Sequence, residues 1–574
     1  MFDIRAIKQK ARLYTLLLFT AVFTYLAVLL GSRVAPQYIW LLAPGTACAG
    51  LSYLEYRRLQ RLKLLARLRA QWGVKEVKKE RAFSEIAALF DQAQQPDPTI
   101  DDRTWQDLTM DAVFSRLDRT LTWPGMQVLY RLLRLPEVKD TSRLEQRNGV
   151  ISGFEREAGV REAVQVILSG MEARLGAGLC TLIWNTPKLK PPHPMFLYYV
   201  LFVLALFSPL LLLISTRYIV FIVFVFQINM YFHFRVQKEV KAHFEGVRSL
   251  GQLISIAKKL SQVEAGFLEG HTGTIRECLQ QVKSFRKVVR YVGVESTDPL
   301  LYMFQQYVTI FYLAEVRGFF RSLSFIDENR DALQRLFLVV GEIDALQSAA
   351  SFRASLAYYC QPEFVEANGL TLEEAYHPLL SDPVPNSIEV SDRGILITGS
   401  NMSGKSTFLR TVGVNVLLAQ SIYTCLAKEY RSCPLRLLTS IGRADNVIEG
   451  KSYYLEEALS ILRVIEALNE ELTTLVILDE LYRGTNSEER IFAARRVLEY
   501  LIRRNALVLA ATHDLELTSL LAKEYTSLHF SERVGALGLE FDYKLKEGPA
   551  TTRNAVALLR HLGYPKEITD VHGE

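Results

Sequence analysis

Two hydrophobic textures alternate along this chain. Leu13 to Ser32 and Val34 to Leu54 are uncharged, and so are Pro191 to Thr216 and Tyr218 to Phe234, the last two separated only by Arg217. A helix rises about 1.5 Å per residue, so each run can cross a hydrocarbon core of roughly 30 Å. Their length, and the run Phe221-Ile-Val-Phe-Val-Phe226 that is apolar on every face, favour a bilayer over a protein core. The pattern predicts two transmembrane hairpins, over 1–60 and 191–236. Between and after them, 61–190 and 237–361 carry helical periodicity, as in Val113, Leu117 and Leu121, or Leu250, Leu253, Ile254, Ile256 and Leu260. From about residue 362 to 574 short apolar strands alternate with helices, the mark of a mostly parallel α/β sheet.

Charge orients the hairpins. Arg5, Lys8, Lys10 and Arg12 precede the first and Arg57, Arg58, Arg61 and Lys63 follow it, whereas its turn holds only Arg33. Lys188 and Lys190 lead into the second, and Arg235, Lys238 and Lys241 lead out. By the positive-inside rule the ends of both hairpins are cytoplasmic, which predicts a multi-pass protein of the cell (inner) membrane with its soluble domains in the cytoplasm. A cleaved export signal fits poorly, because the first run is long and no Ala-x-Ala site follows. A net charge of +5 over 574 residues decides nothing about nucleic acid. Six cysteines without C-x-x-C spacing read as reduced thiols, not as a disulfide framework or metal site.

The chemistry is concentrated in the last third. Gly399-Ser400-Asn401-Met402-Ser403-Gly404-Lys405-Ser406 fits G-x-x-x-x-G-K-[ST], between the strand Gly394–Thr398 and a helical stretch opened by Thr407. Such a loop aims backbone N–H groups and a helix N-terminus at nucleotide phosphates. Lys405 would neutralise phosphate oxygens and Ser406 would ligate Mg²⁺. A second buried strand, Thr474–Leu478, ends in Asp479-Glu480, placing one carboxylate to organise the metal and another to polarise water. A third, Leu507–Thr512, ends at His513, positioned to sense the γ-phosphate. The ligands expected are ATP and Mg²⁺.

Gly399–Thr407, Asp479-Glu-Leu-Tyr-Arg-Gly-Thr-Asn486 and Ala511-Thr-His-Asp-Leu-Glu-Leu517 together resemble the ATPase domain of the MutS family of DNA mismatch-repair proteins, an ABC-class P-loop domain. His377-Pro378 and Val384-Pro-Asn386 are similar to that family's nucleotide-base segment, and Ile441–Glu456 to its signature segment, whose serine matches Ser452. Leu117–Met126, Leu132–Glu137 and Leu144–Asn148 resemble its helical core, and Gly341–Tyr359 the helix leading into the ATPase. Two departures stand out. The mismatch-reading N-terminal domain is lacking, and Pro383 stands where the family has an aromatic that stacks on the base.

The fold class expected is therefore α plus α/β: two transmembrane hairpins, a MutS-like helical core in two parts (61–190 and 237–361), and an ABC-type ATPase domain (362–574). The resemblance implies a homodimer in which Ser452 of one chain completes the partner's site, with Glu480 activating water and His513 contacting the γ-phosphate. It also implies DNA as the ligand controlled by the ATP cycle, in mismatch repair or recognition of DNA structure. Two other readings stand beside it: a MutS-derived membrane scaffold or signalling ATPase without DNA, and an ABC-type transporter. No Leu-Ser-Gly-Gly-Gln signature supports the transporter.

Overall fold

The computed structural model describes residues 2–75, 79–93, 99–171, 177–187, 189, 191–283, 307–400, 403–442, 453–468, 471–482, 486–504, 506–535, 538–550 and 564–565. Three of the described helical stretches are long and apolar enough to cross a membrane: Ile7–Arg33, Met195–Leu213 and Thr216–Val236. Most of their side chains are not buried against protein; Leu18 is 65% and Leu213 86% exposed. The fourth expected span differs. After a 3₁₀ turn at Pro36–Leu41 the next helix begins only at Leu42 and runs to Gln71, so its uncharged stretch ends before Glu55. At about 1.5 Å per residue that stretch covers roughly 20 Å, short of the roughly 30 Å core. It packs along the first helix instead of matching it in length.

The helical core is organised by one crossing. Helix Trp123–Arg134 is capped by Thr122, whose hydroxyl accepts from Gly125 N, and carries Pro124 in its first turn, where the missing N–H costs nothing. It lies against helix Arg330–Arg353 at a contact that only glycine permits on both sides. A Cβ on Gly341 would come within 2.6 Å of the Pro124 carbonyl oxygen, and one on Gly125 would collide with the Asp344 carboxylate. Asp344 is fully buried there and accepts from Leu121 N, Thr122 N and the Thr122 hydroxyl. Burial pushes its carboxyl up, against the pull of those donors.

The C-terminal region contains two sheets. In the smaller, β1 (Glu363–Phe364), β5 (Glu429–Ser432), β2 (Leu370–Ala375) and β3 (Asn386–Val390) lie in that order. The larger has the order β10-β9-β4-β8-β7-β6. Here β4 (Gly394–Thr398), β6 (Arg436–Ile441), β7 (Thr474–Asp479) and β8 (Ala506–Ala511) run parallel to their neighbours, and only β9 (Tyr525–Gly535) and β10 (Gly538–Glu547) pair antiparallel. β4, β7 and β8 are buried at every position, as a parallel sheet covered on both faces requires. One face packs on helix Lys405–Ile422, in a core continuous with the helical region. The other packs on helices Tyr453–Glu466 and Ser487–Ile502.

The two halves are fastened at Arg353, the last residue of its helix and 1% exposed. Its guanidinium donates to the Thr424 hydroxyl, the Tyr423 carbonyl and Asn148 Oδ1 at 2.8, 2.7 and 2.9 Å, with Glu155 at 3.5 Å. It thereby joins the C-terminal end of helix Lys405–Ile422 to the helical core.

Candidate functional site

Strand β4 delivers the chain into a loop bounded by two left-handed glycines, Gly399 at φ 143° and Gly404 at φ 106°. A side chain at Gly399 would put Cβ 2.8 Å from the Phe530 carbonyl oxygen, and one at Gly404 would lie 3.2 Å from the Tyr543 ring. Helix Lys405–Ile422 begins at Gly404 with no side-chain cap, so its first N–H groups and the positive end of its dipole face the loop. Lys405, 4% exposed, turns back beneath it and donates to the carbonyls of Gly399 and Ser400, each at 2.8 Å.

The neighbouring strand ends supply the carboxylates. β7 closes on Asp479, 7% exposed. The next residue, Glu480, adopts a left-handed φ of 54° that turns the chain out of the sheet, and its N–H donates to the Ala511 carbonyl at the end of β8. Two residues past β8, His513 places Nε2 2.7 Å from Glu480 Oε1 and 3.5 Å from Lys405 Nζ. Arg490 grips the adjacent Asp514 with two bonds of 2.8 and 2.7 Å, steadying this turn.

The loop, Lys405 and Glu480 open on a cavity of about 510 Å³. Ser400, Gly404, Lys405, Ser406 and Thr407 form one wall and Glu480 lies at its edge, while His377, Val384 and Asn386 face them. His377 is buried, and desolvation together with the nearby Arg410 pushes its imidazole down to about 4, so it is neutral at pH 7. Its Nδ1 accepts from Leu379 N at 3.3 Å, whereas its Nε2 is buried without a hydrogen-bond partner among the described residues, as is the hydroxyl of Ser400. Unpaired buried polar atoms around an open space fit a polar ligand.

Several expected residues sit differently. Ser403, 1% exposed, lies under Gly399 and not on the cavity wall, and Pro378, Asp479 and His513 also lie off it. His513 acts on the lining through its contact with Glu480. Asn386 is a tie as well as a lining group: its amide donates to the Tyr543 carbonyl at 2.9 Å and its oxygen accepts from Leu545 N at 2.8 Å, holding β10 across the mouth. Asn401, Met402 and Ser452 fall outside the described residues. Sequence reading missed Tyr543, which lines the cavity at φ 52° with its ring stacked on Phe541 at 5.8 Å. The alternation Phe541, Tyr543, Leu545 was the signal available.

Comparison with known proteins adds the lineage. Residues 395–572 match the family model described as MutS domain V. The chain is 34% identical over 243 residues to the DNA mismatch repair protein MutS of Thermus aquaticus, covering 42% of this chain and 29% of that protein. It is 31% identical over 251 residues to the MutS of Natronomonas pharaonis, and 33% over 253 residues to the DNA mismatch repair protein MutS 2 of Halobacterium salinarum, with the same shares. The match thus spans less than a third of the relatives' own length.

Proposed function

We propose that this chain, which belongs to the MutS family, is a membrane-anchored ATPase that couples ATP binding and hydrolysis to DNA binding. The observation that carries this reading is the convergence of an uncapped helix N-terminus, Lys405 and Glu480 on one cavity, with His513 held against Glu480 from outside the lining. In the ABC-type P-loop reading, the backbone of 399–404 and the head of helix Lys405–Ile422 bind the phosphates. Lys405 exchanges its loop carbonyls for phosphate oxygens. His377, Val384 and Asn386 flank the base, with Pro378 off the wall beside His377, and Tyr543 offers the aromatic face that Pro383 cannot. Ser406 and Asp479 present a hydroxyl and a carboxylate, oxygen donors suited to Mg²⁺. The metal, when bound, neutralises charge developing on the phosphate oxygens. Glu480 accepts a proton from the attacking water, and His513, 2.7 Å away, orients that carboxylate and reaches toward the γ-phosphate.

Assembly as a homodimer is supported by a bare apolar stripe. Leu455, Leu459 and Leu462, about half exposed, share one face of the helix that follows the Ser452 segment, and Phe492 is 68% exposed on helix Ser487–Ile502. In that dimer Ser452 would serve the partner's site in trans. The three exposed apolar helices support insertion in the inner membrane, with the ATPase on the cytoplasmic side. DNA as the controlled ligand rests on the relatives' names as DNA mismatch repair proteins.

The reading is tested with the full chain in detergent, by measuring ATP hydrolysis and duplex-DNA affinity over a salt series with and without ATP. Affinity that falls steeply with salt and shifts with nucleotide is expected. Hydrolysis with no DNA binding at low salt would favour a scaffold or signalling ATPase. Extraction of the protein from membranes by salt or alkali would remove the anchor.

A further inference from the structure

We propose that residues 307–313 form an additional membrane-embedded segment, packed on the second apolar hairpin and covered on its outer face by lipid acyl chains. The inference rests on the membrane reading of that hairpin, and on contacts that place this segment at its mid-depth. The Phe226 ring lies 6.3 Å from Tyr307 and 6.1 Å from Phe311, and Phe202 lies 6.1 Å from Tyr312. Phe226 is central in the span Thr216–Val236, about 15 Å from either end at 1.5 Å per residue. Whatever medium surrounds Phe226 therefore surrounds the rings that touch it.

The chemistry of the segment agrees. Residues 299–314 are uncharged between Asp298 and Glu315. Tyr307 is 55% and Val308 37% exposed, as Val220 and Phe224 are on the hairpin. The backbone breaks at Leu313, with φ 48°, and a break at membrane depth is tolerated only where protein satisfies the freed carbonyls. Here Asn229, fully buried within the span, donates to the Phe311 carbonyl at 2.6 Å, and the Arg317 guanidinium donates to the Tyr312 carbonyl at 3.2 Å. Charge resumes just beyond: Glu315 lies 3.8 Å from His233 near the end of the span, and Arg317 sits 3.7 Å over the Phe202 ring. Glu315 thus lies near the level where the span Thr216–Val236 ends, as at a bilayer boundary, whereas Arg317 reaches inward over Phe202, its charge held by the ring and the Tyr312 carbonyl.

The test is carbene photolabelling of the full chain in liposomes of phosphatidylethanolamine and phosphatidylglycerol, with the photoreactive group on an acyl chain and adducts mapped by mass spectrometry. Adducts at Tyr307 and Val308 alongside those at Phe196 to Phe207 and Ile219 to Phe224 are expected. Labelling of the hairpin with none at 307–313, together with modification of Tyr307 by a water-borne carbene, would overturn the inference and leave the anchor intact. Absence of adducts from both regions would overturn the anchor and the inference with it.

Discussion

Replacing Glu480 by Gln separates the carboxylate's charge from everything else that residue does. The side chain keeps its length and can still meet His513 Nε2 at about the present 2.7 Å. Both residues sit at the same φ of 54°, so the strain of roughly 1–2 kcal/mol in a left-handed non-glycine position is common to both and cancels. What is lost is proton acceptance from water, which contributes about 10²–10⁴-fold in such sites. At ~1.4 kcal/mol per tenfold that is roughly 3–5 kcal/mol of barrier. Single-turnover hydrolysis with protein in excess should slow by that factor, while ATP affinity and melting temperature stay close to those of the parent. Glu480→Gly provides the complement, since it relieves the strained φ and removes the same carboxylate. It should hydrolyse as poorly as the Gln variant without melting earlier. A Glu480→Gln protein that turns over within twofold of the parent rate would refute the assignment of the water-activating role.

Three further outcomes follow from the site and its supports. Gly404→Ala forces a Cβ onto φ 106° and toward the Tyr543 ring, and should weaken ATP binding at least tenfold in equilibrium titration, with hydrolysis reduced in proportion. Arg353→Met removes a buried charge with five partners, takes the guanidinium from the Ile422 and Tyr423 carbonyls while Glu155 keeps the Tyr359 hydroxyl, and should cost about 3–5 kcal/mol in urea unfolding. His377 is depressed from 6.5 to about 4 in the folded state. The unfolded chain therefore takes up the proton first on acidification, and stability that is full above pH ~6.5 should fall as pH drops toward ~4, by at most about 3 kcal/mol. His377→Asn should flatten that part of the melting profile.

The loop and strand ends that form one wall of the cavity were legible because they are local. Gly399 and Gly404 must take positive φ, Lys405-Ser406 must open the helix, and Asp479-Glu480 must end a buried strand, all of which adjacent residues declare. The opposite wall was not legible in the same way. Tyr543 reaches the cavity only because Asn386, more than 150 positions earlier, ties β10 across the mouth, and no local pattern encodes that pairing. The second arm of the first hairpin misled for a related reason: an uncharged run from Val34 reads as one helix, but Pro36 begins a 3₁₀ turn that delays the helix to Leu42. Segment 307–313 escaped notice because Gln305 and Gln306 stand directly before it and its short length hides it from any search for complete spans.

The glycine crossing of helices Trp123–Arg134 and Arg330–Arg353 has a mechanical consequence. With Gly341 against Pro124 and Gly125 against Asp344, neither helix can slide past the other, and the easy motion left is a rocking about the contact. Gly341 lies about 18 Å from Arg353 and about 16 Å from Arg330 at 1.5 Å per residue, so the fulcrum divides the rod into nearly equal arms. A displacement imposed on Arg353 by the tail of helix Lys405–Ile422 would reappear at Arg330 with similar size and opposite sense, beside helix Ala314–Glu328, which follows the segment packed on the second hairpin. Such a see-saw would neither amplify nor absorb the stroke, and it would deliver an ångström of movement at the cavity as about an ångström at the end beside the apolar hairpin.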